Sequence, residues 1–263
     1  MILQDIPSHK YSRIISLVPS LTELLFYLGL ETEVAGITRF CIHPQEWFKN
    51  KTRVGGTKNV NFKTIDRLSP DLIIANKEEN VKEQIERLAG RYDVYVTDVN
   101  NLNDATNMII DIGKLTGRTE KAIALALQVK RNFEKLETIS SLKRKTRAAY
   151  FIWRDPFMVA GGGTFINDMM NYCGLENVFS NLSRYPAINL QEIKDRNCEL
   201  ILLSSEPYPF KEKHKEEINQ QLPAIPILLT DGEMFSWYGS RLLKAAGYFE
   251  NLLALDKRFI LRK

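Results

Sequence analysis

The stretch RIISLVPSLTELLF, residues 13–26, contains the clearest strand-to-helix pattern of this chain. Its first half is an uninterrupted β-branched and aliphatic run, which is typical of a strand buried on both faces of a parallel sheet. After Pro19, leucines recur at helical spacing until Gly29 ends the pattern. Ser20 and Glu23 form a capping-box pattern at the start of that helix. The stretch therefore predicts a buried strand, a turn and an amphipathic helix, in that order.

Short apolar runs and helical patterns alternate along the rest of the chain. The runs that predict buried strands are residues 34–38, 71–75, 93–97, 147–153, 199–204 and 225–230. The patterns that predict helices are residues 79–89, 165–173 and 240–255. Strands that are separated by helices pair in parallel, so we predict an α/β protein with parallel sheets.

One segment between the two halves differs from the rest. Residues 119–138 predict a single long helix whose apolar side chains recur at spacings of three and four. These side chains are Ala122, Ala126, Val129, Phe133 and Leu136. We therefore predict two Rossmann-like lobes, residues 1–100 and 142–263, and a connecting segment, residues 101–141, that contains this bridging helix. One continuous sheet with an ordinary crossover helix is the alternative.

Composition excludes several classes of protein. The 263 residues are 44% hydrophobic with a formal net charge of +4, which suits a globular protein and not a nucleic-acid-binding one. No apolar run reaches the ~20 residues that a membrane span needs. The three cysteines, a small and odd number, match a reducing compartment rather than a disulfide framework. No catalytic nucleophile or acid–base pair stands out, so we expect a protein without enzymatic activity.

The first residues, MILQDIP, have neither the basic nor the apolar region of a secretory signal peptide. As the sequence is written, we expect a cytoplasmic protein. If a leader has been removed, a periplasmic or cell-surface location is expected instead.

Several motifs occur in the order and spacing of a known family. They are residues 13–26, VGGT at 54–57, IDRLSPDLIIA at 65–75, TGR at 116–118 and YGSR at 238–241. Together they make the chain resemble the periplasmic-binding-protein family for iron-siderophore, haem and vitamin B12, of the helical-backbone metal-receptor type, and above all its vitamin B12-binding branch. The resemblance implies two α/β lobes joined by one rigid helix, a ligand in the cleft between them, no enzymatic activity, and delivery of a chelated metal compound to an ABC permease.

Five blocks rich in aromatic and charged residues follow predicted strands, namely residues 39–44, 76–80, 153–156, 204–210 and 231–238. Ligands of open α/β sheets bind beyond the carboxyl ends of the strands, so we expect these blocks to bind the ligand. The candidate ligand-binding residues are Arg39, Phe40, Glu78, Trp153, Arg154, Glu206, Tyr208, Phe210, Trp237, Tyr238 and Arg241. Aromatic rings suit a large ring-containing ligand, and arginine suits its carboxylate or phosphate. Core packing is the alternative for Trp153 and Phe210, and ion pairing within its own lobe is the alternative for Arg241.

Cys41 and His43 are the candidate metal ligands. They are one residue apart, so in an extended segment both side chains point the same way, and thiolate with imidazole suits zinc, copper or a soft metal centre. A third ligand would have to come from elsewhere, and His214, Glu78 and Glu206 are the candidates. The alternative is that Cys41 packs as a small apolar residue and His43 caps its loop.

The ligand class follows from the resemblance, which implies no built-in cofactor and a cobalt- or iron-containing chelate as cargo. In the vitamin B12-binding pattern, Phe40 stands in place of a stacking tyrosine, Thr57 in place of a stacking tryptophan, and Met234 near another aromatic position. These departures weaken the prediction of vitamin B12 itself.

The resemblance also implies one exposed glutamate on each lobe that meets an arginine pocket of the permease. Lys63 and Gln191 occupy these two positions, and Asp66 and Glu192 are the nearest carboxylates in sequence. The sequence therefore leaves two roles open. One is a substrate-binding protein with an ABC permease as its partner, and the other is a cytoplasmic carrier or sensor for a corrinoid or metal ion that does not dock. In either role we expect a monomer.

Overall fold

The structure, a computed structural model, describes residues 1–260 and confirms the predicted α/β class. The chain divides into two compact units, each of which has its own sheet. The first unit comprises residues 1–99, 103–129 and 238–241, and the second comprises residues 100–102, 130–237 and 242 onward. A single sheet running through both halves, the alternative left open by the sequence, is therefore not what forms.

The first unit contains five parallel strands in the order β3-β2-β1-β4-β5. The strands are β1 (Ile14–Ser16), β2 (Val34–Ile37), β3 (Thr52–Arg53), β4 (Leu72–Asn76) and β5 (Asp93–Thr97). The helices are α1 (Pro19–Tyr27), α2 (Gln45–Asn50), α3 (Phe62–Leu68), α4 (Lys82–Ala89), α5 (Leu102–Leu115) and α6 (Thr119–Ser141), the last of which continues into the second unit.

The second unit also contains a five-stranded sheet, in which β6 (Thr146–Trp153) pairs with three strands. These are β7 (Met158–Val159), which is antiparallel, and the parallel strands β8 (Leu175–Asn177) and β9 (Leu200–Ser204). Strand β10 (Ile227–Thr230) pairs in parallel with β9 at the edge. The helices are α7 (Phe165–Tyr172), α8 (Leu190–Asp195), α9 (Glu212–Gln221), α10 (Gly232–Ser236) and α11 (Leu242–Ile260).

The opening stretch forms the predicted strand and helix, but the helix starts differently. Strand β1 pairs with β2 on one side and β4 on the other and is fully buried, as an apolar central strand should be. The capping box predicted for Ser20 and Glu23 is wrong. Helix α1 begins at Pro19, because proline fixes the helical φ and lacks an N–H that would need a partner. The Ser20 hydroxyl is buried without a hydrogen-bond partner among the described residues.

The helix predicted at residues 79–89 begins three residues later, at Lys82. The cause is Asn76, whose side-chain oxygen accepts hydrogen bonds from the backbone N–H groups of Glu78 (2.8 Å) and Glu79 (3.1 Å). The Asn80 side chain in turn accepts from the Asn76 N–H at 2.8 Å. Side-chain bonds of this kind offer the backbone an alternative to the helix, so a turn forms first.

A short N-terminal segment lies along the outer edge of β5. The Leu3 N–H donates to the carbonyl of Val94 at 2.9 Å, and the Val94 N–H donates to the carbonyl of Met1 at 2.8 Å. On the opposite edge, β3 is only two residues long. Both edges of the first sheet are therefore short or covered.

The predicted apolar stripe of α6 is buried along its whole length, from Ala122 to Leu136. Among the helices within residues 1–260, none combines the length and the apolar character needed to cross a bilayer.

Candidate functional site

All five blocks follow strands, as predicted. In the first unit, residues 39–44 follow β2 and residues 76–80 follow β4. In the second unit, residues 153–156, 204–210 and 231–238 follow β6, β9 and β10. Because the strands that carry them are parallel within each sheet, each unit gathers its blocks at one edge.

Arg39 and Phe40 form an exposed platform at the end of β2. The Phe40 ring is 48% exposed, and the Arg39 guanidinium lies 5.1 Å from its centroid. The pair packs over Gly56, where a Cβ atom would come within 3.1 Å of the ring. Among the side chains that the structure describes, residues 1–254, none forms a salt bridge with Arg39. The platform therefore combines an aromatic surface with a positive charge that none of these side chains neutralises.

Glu78 lies in the turn that follows β4 and is half-buried. Besides the bond from its N–H to Asn76, its carbonyl accepts from the Lys58 ammonium at 2.6 Å. The Asn80 side chain ties the same turn to the carbonyl of Thr57 at 3.0 Å. Contacts within the first unit therefore fix the backbone position of Glu78.

Cys41 lies in the loop after β2, where its side chain is completely buried against Thr22 in the first turns of α1. The Thr22 hydroxyl donates to its sulfur at 3.1 Å, and the Thr38 hydroxyl lies 3.2 Å from it. Burial raises the pKa of the thiol, against the effect of these hydroxyl contacts. Within the described part of the chain, no three His, Cys, Asp or Glu side chains are grouped so as to hold a metal ion. Metal binding by Cys41 and the half-buried His43 stays a prediction.

The second unit presents its aromatic side chains in a row. Trp153, at the end of β6, is 40% exposed, and its ring centroid lies 5.7 Å from that of the half-buried Tyr208. Tyr208 packs edge-on against Phe210 at 4.9 Å. Phe210 is buried in the core of this unit and supports the row from beneath. Trp153 and Tyr208 thus offer the accessible aromatic surface here.

Arg154 is held by the fold. Its guanidinium donates to both carboxylate oxygens of Glu217 on α9, at 2.7 and 2.8 Å. This pairing raises the pKa of Arg154. Its charge is already matched within the protein, unlike that of Arg39. Nothing in the sequence pointed to Glu217 as the partner of Arg154, because the two residues are 63 positions apart.

Glu206 lies in an acidic environment at the end of β9. Burial raises the pKa of its carboxyl group, the hydrogen bond from Ser236 opposes this, and the nearby carboxylates of Glu233 and Asp231 add to it. The Ser236 hydroxyl donates to Glu206 Oε1 at 2.5 Å. The arrangement suits a ligand that brings hydrogen-bond donors.

The last three candidates are buried. Trp237 and Tyr238 are each 6% exposed. Arg241 donates to Glu23 at 2.8 Å inside the first unit, in an ion pair whose side chains are 7% and 16% exposed. Arg241 therefore forms an ion pair, but its partner Glu23 belongs to residues 1–100 and not to the predicted lobe of residues 142–263.

Comparison with known proteins places the chain among binding proteins. The family described as periplasmic binding protein matches residues 14–228. A vitamin B12-binding protein of Vibrio parahaemolyticus is 25% identical over 194 residues, which is 73% of this chain and 70% of the relative. A vitamin B12-binding protein of Pectobacterium carotovorum is 24% identical and covers 89% of this chain and 85% of its own length.

Solved structures show the same fold. The periplasmic vitamin B12-binding protein BtuF of Vibrio cholerae has a TM-score of 0.78 at 20% identity, covering 94% of this chain and 98% of its own. The periplasmic haem-binding protein HutB of Vibrio cholerae has a TM-score of 0.77 at 19% identity, covering 92% of this chain and 98% of its own. At these identities the likeness concerns the fold and not the ligand.

Proposed function

The chain belongs to the periplasmic-binding-protein family, and from that premise we propose that it is a non-enzymatic substrate-binding protein of the ABC-transporter type. Its ligand is a ring-containing metal chelate, either cobalamin or another corrinoid, or an iron complex. The names of the matched relatives support this ligand class, since they bind vitamin B12 or haem. The location of the ligand between the two lobes stays a prediction.

The observation that carries the proposal is the accessible aromatic surface at the strand ends of each unit. Trp153 and Tyr208 form it in the second unit, and Phe40 forms it in the first with Arg39 stacked upon it. Soluble proteins seldom leave large aromatic rings exposed beside one another unless the rings contact something. Flat rings with a few fixed polar groups are what a macrocyclic or chelated ligand requires.

Two experiments test the proposal. The first measures binding of cyanocobalamin and haemin, and the second identifies the compound that the protein carries when it is purified from its cells. Titration with cyanocobalamin and with haemin, followed by tryptophan fluorescence and visible absorption, should show saturable binding of at least one compound. Replacing Trp153 by Ala should weaken that binding by about 1–3 kcal/mol, the usual effect of losing an aromatic anchor. Leu142→Ala, at an 85% exposed residue outside the five blocks, is the matched control and should change nothing.

Purification from the source cells complements the titration. A visible absorption spectrum and metal analysis should show a bound cobalt or iron compound, and cell fractionation would reveal the compartment. A protein that carries no chelate from its cells and binds neither compound in vitro would contradict the proposed ligand class.

A second role, a carrier or sensor that does not dock on a permease, is favoured by one surface feature. Lys63 on α3 and Gln191 on α8 are both exposed where the resemblance places docking glutamates. The neighbouring carboxylates, Asp66 and Glu192, form hydrogen bonds within their own units. Asp66 accepts from the Tyr92 hydroxyl at 2.7 Å and from Arg91 at 2.8 Å, and Glu192 forms a capping box with Asn189.

Docking can be measured directly with the permease encoded nearest to this protein, reconstituted in proteoliposomes. If the missing carboxylates prevent docking, a Lys63→Glu, Gln191→Glu double variant should gain saturable binding to the transporter, because two like charges that meet at an interface, such as Lys63 and an arginine pocket, cost several kcal/mol. A Lys49→Glu, Gln220→Glu variant makes the same charge changes at exposed residues of α2 and α9 and should not gain it. Saturable docking of the unmodified protein would exclude this second role.

A further inference from the structure

His214 links the first turn of α9 to the aromatic row of the second unit. Its ring is 6% exposed and packs against Tyr208 and Phe210, with centroids 5.3 and 5.7 Å away. The ring makes one hydrogen bond with each nitrogen. The Lys211 N–H donates to Nδ1 at 3.0 Å, and Nε2 lies 3.2 Å from the Tyr208 hydroxyl oxygen.

These two contacts determine the tautomer. A nitrogen that accepts a hydrogen bond from a backbone N–H must carry a lone pair, so Nδ1 has no hydrogen. A neutral imidazole then carries its hydrogen on Nε2, and that N–H donates to the Tyr208 oxygen. The Tyr208 hydroxyl is the acceptor in this pair.

The Tyr208 hydroxyl still has its own hydrogen to donate. Among the side chains that the structure describes, residues 1–254, the ring nitrogen of His214 is the only hydrogen-bond partner of this hydroxyl. We infer that Tyr208 donates its O–H to an acceptor oxygen of the ligand, and that His214 is a positioning residue that turns this O–H away from the protein. The inference rests on the proposed function, since it assumes that the row of Trp153 and Tyr208 contacts the ligand.

The charges around His214 favour the neutral ring that this arrangement needs. Burial lowers the pKa of the imidazole, the cations of Lys213, Arg154 and Lys211 act in the same direction, and Glu217 opposes them. If the ring were protonated, a hydrogen on Nδ1 would face the Lys211 N–H, donor against donor. The contact that orients the ring would then be lost.

The donor role of the Tyr208 hydroxyl restricts the kinds of ligand that fit beside it. A hydroxyl held as a donor recognises a carboxylate, an amide carbonyl or a hydroxamate oxygen on the periphery of a chelate. A bare metal ion or a purely apolar ring would leave the O–H without a partner, which disfavours binding.

Two substitutions of His214 separate positioning of Tyr208 from capping of the helix. His214→Gln can place an amide N–H₂ near Tyr208 but loses the ring acceptor for Lys211. His214→Asn can accept from the Lys211 N–H but is too short to reach Tyr208. If His214 positions Tyr208, the Gln variant should retain most of the affinity and the Asn variant should lose about as much as Tyr208→Phe, roughly two- to tenfold. A purely structural cap predicts the reverse order.

The binding experiment uses cyanocobalamin and haemin with these three variants, the Tyr208→Phe, His214→Asn double variant, and Tyr27→Phe as a control in the first unit. The double variant should bind no more weakly than Tyr208→Phe alone. For the unmodified protein, the affinity attributable to Tyr208 should be constant at neutral pH and fall as His214 becomes protonated. Affinity for a bound probe that is unchanged in Tyr208→Phe would overturn the inference while leaving the proposed function intact.

A second measurement does not depend on any ligand. Long-range ¹H–¹⁵N NMR of the labelled protein, which has only three histidines, should show His214 as the Nε2–H tautomer with a pKa below that of an exposed histidine. An Nδ1–H tautomer would overturn the inference whether or not a probe binds. If neither probe binds but the Nε2–H tautomer is found, the orientation of the Tyr208 hydroxyl stands and the proposed chelate fails.

Discussion

The two units differ in whether the arginine at the carboxyl ends of their strands is paired with a carboxylate. In the first unit, Arg39 lies exposed on Phe40 with no carboxylate of the described residues paired to it. In the second unit, Arg154 is held by two hydrogen bonds to Glu217. The first edge is therefore prepared for an anionic group, and the second offers aromatic faces and the carboxyl group of Glu206. The two edges therefore differ in the charged groups that each leaves accessible.

The largest expected effect on stability concerns a third arginine, Arg241, which is far more buried than Arg39 or Arg154. Replacing it by Ala leaves the carboxylate of Glu23 buried and unpaired, and the free energy of unfolding should fall by about 3–5 kcal/mol. Arg154→Ala should cost much less, since the Arg154–Glu217 pair is more than a third exposed. Chemical denaturation of both variants measures the difference. A stable Arg241→Ala protein that no longer binds ligand would instead make Arg241 a ligand residue.

Replacing Arg39 in the exposed platform should affect ligand binding and not the stability of the fold. Arg39→Gln should weaken binding of haemin, which carries two carboxylates, by about tenfold, because hydrogen bonds to charged groups are the stronger ones. Arg154→Gln should change haemin binding less, since Glu217 already occupies its guanidinium. Isothermal titration at two salt concentrations checks both, and the contribution of Arg39 should shrink at high salt. Equal losses in the two variants would remove the contrast between the two edges.

The smallest expected effect is a pH-dependent change in the free energy of unfolding on replacing Glu206. Because its pKa is raised in the folded protein, its contribution to stability is present below the pKa of the unfolded chain and is lost as pH rises through the folded value. Glu206→Gln should therefore stabilise the protein slightly at pH 7 and leave it unchanged at about pH 4 and below. Thermal unfolding between pH 3.5 and 8 measures this, with Glu250→Gln, at an exposed residue of α11, as the control. Destabilisation by Glu206→Gln at neutral pH would show that the charged form is the one the fold favours.

The fold could be predicted from the sequence because it depends on local pattern. Residues 13–26 contain a complete strand, turn and helix, and the strands of four or more residues each have their own apolar run. The two-residue strand β3, Thr52–Arg53, has no such run and was not predicted. The errors lie where side chains compete with that pattern. Pro19 moved the start of α1 away from Ser20, and the side chain of Asn76 delayed α4.

The sequence predicted where the candidate site residues lie along the chain, but not which residues they contact in the fold. All five blocks follow strands as expected, yet nothing in the sequence joins Arg154 to Glu217 or Arg241 to Glu23. Such pairs are far apart in the chain and form only when the elements pack together. Burial of Trp237 and Tyr238 was missed for the same reason, because an aromatic residue after a strand can serve a core as readily as a ligand.

The segment of residues 1–3 along β5 bears on how the protein behaves at high concentration. An uncovered edge strand presents a row of free N–H and C=O groups on which other chains can add, which leads to aggregation. In the first sheet, one edge is occupied by this segment and the other ends in the two-residue strand β3. Removing residues 1–3 would open the five-residue edge of β5 to such addition, so the shortened protein should self-associate at concentrations where the unshortened one stays dispersed.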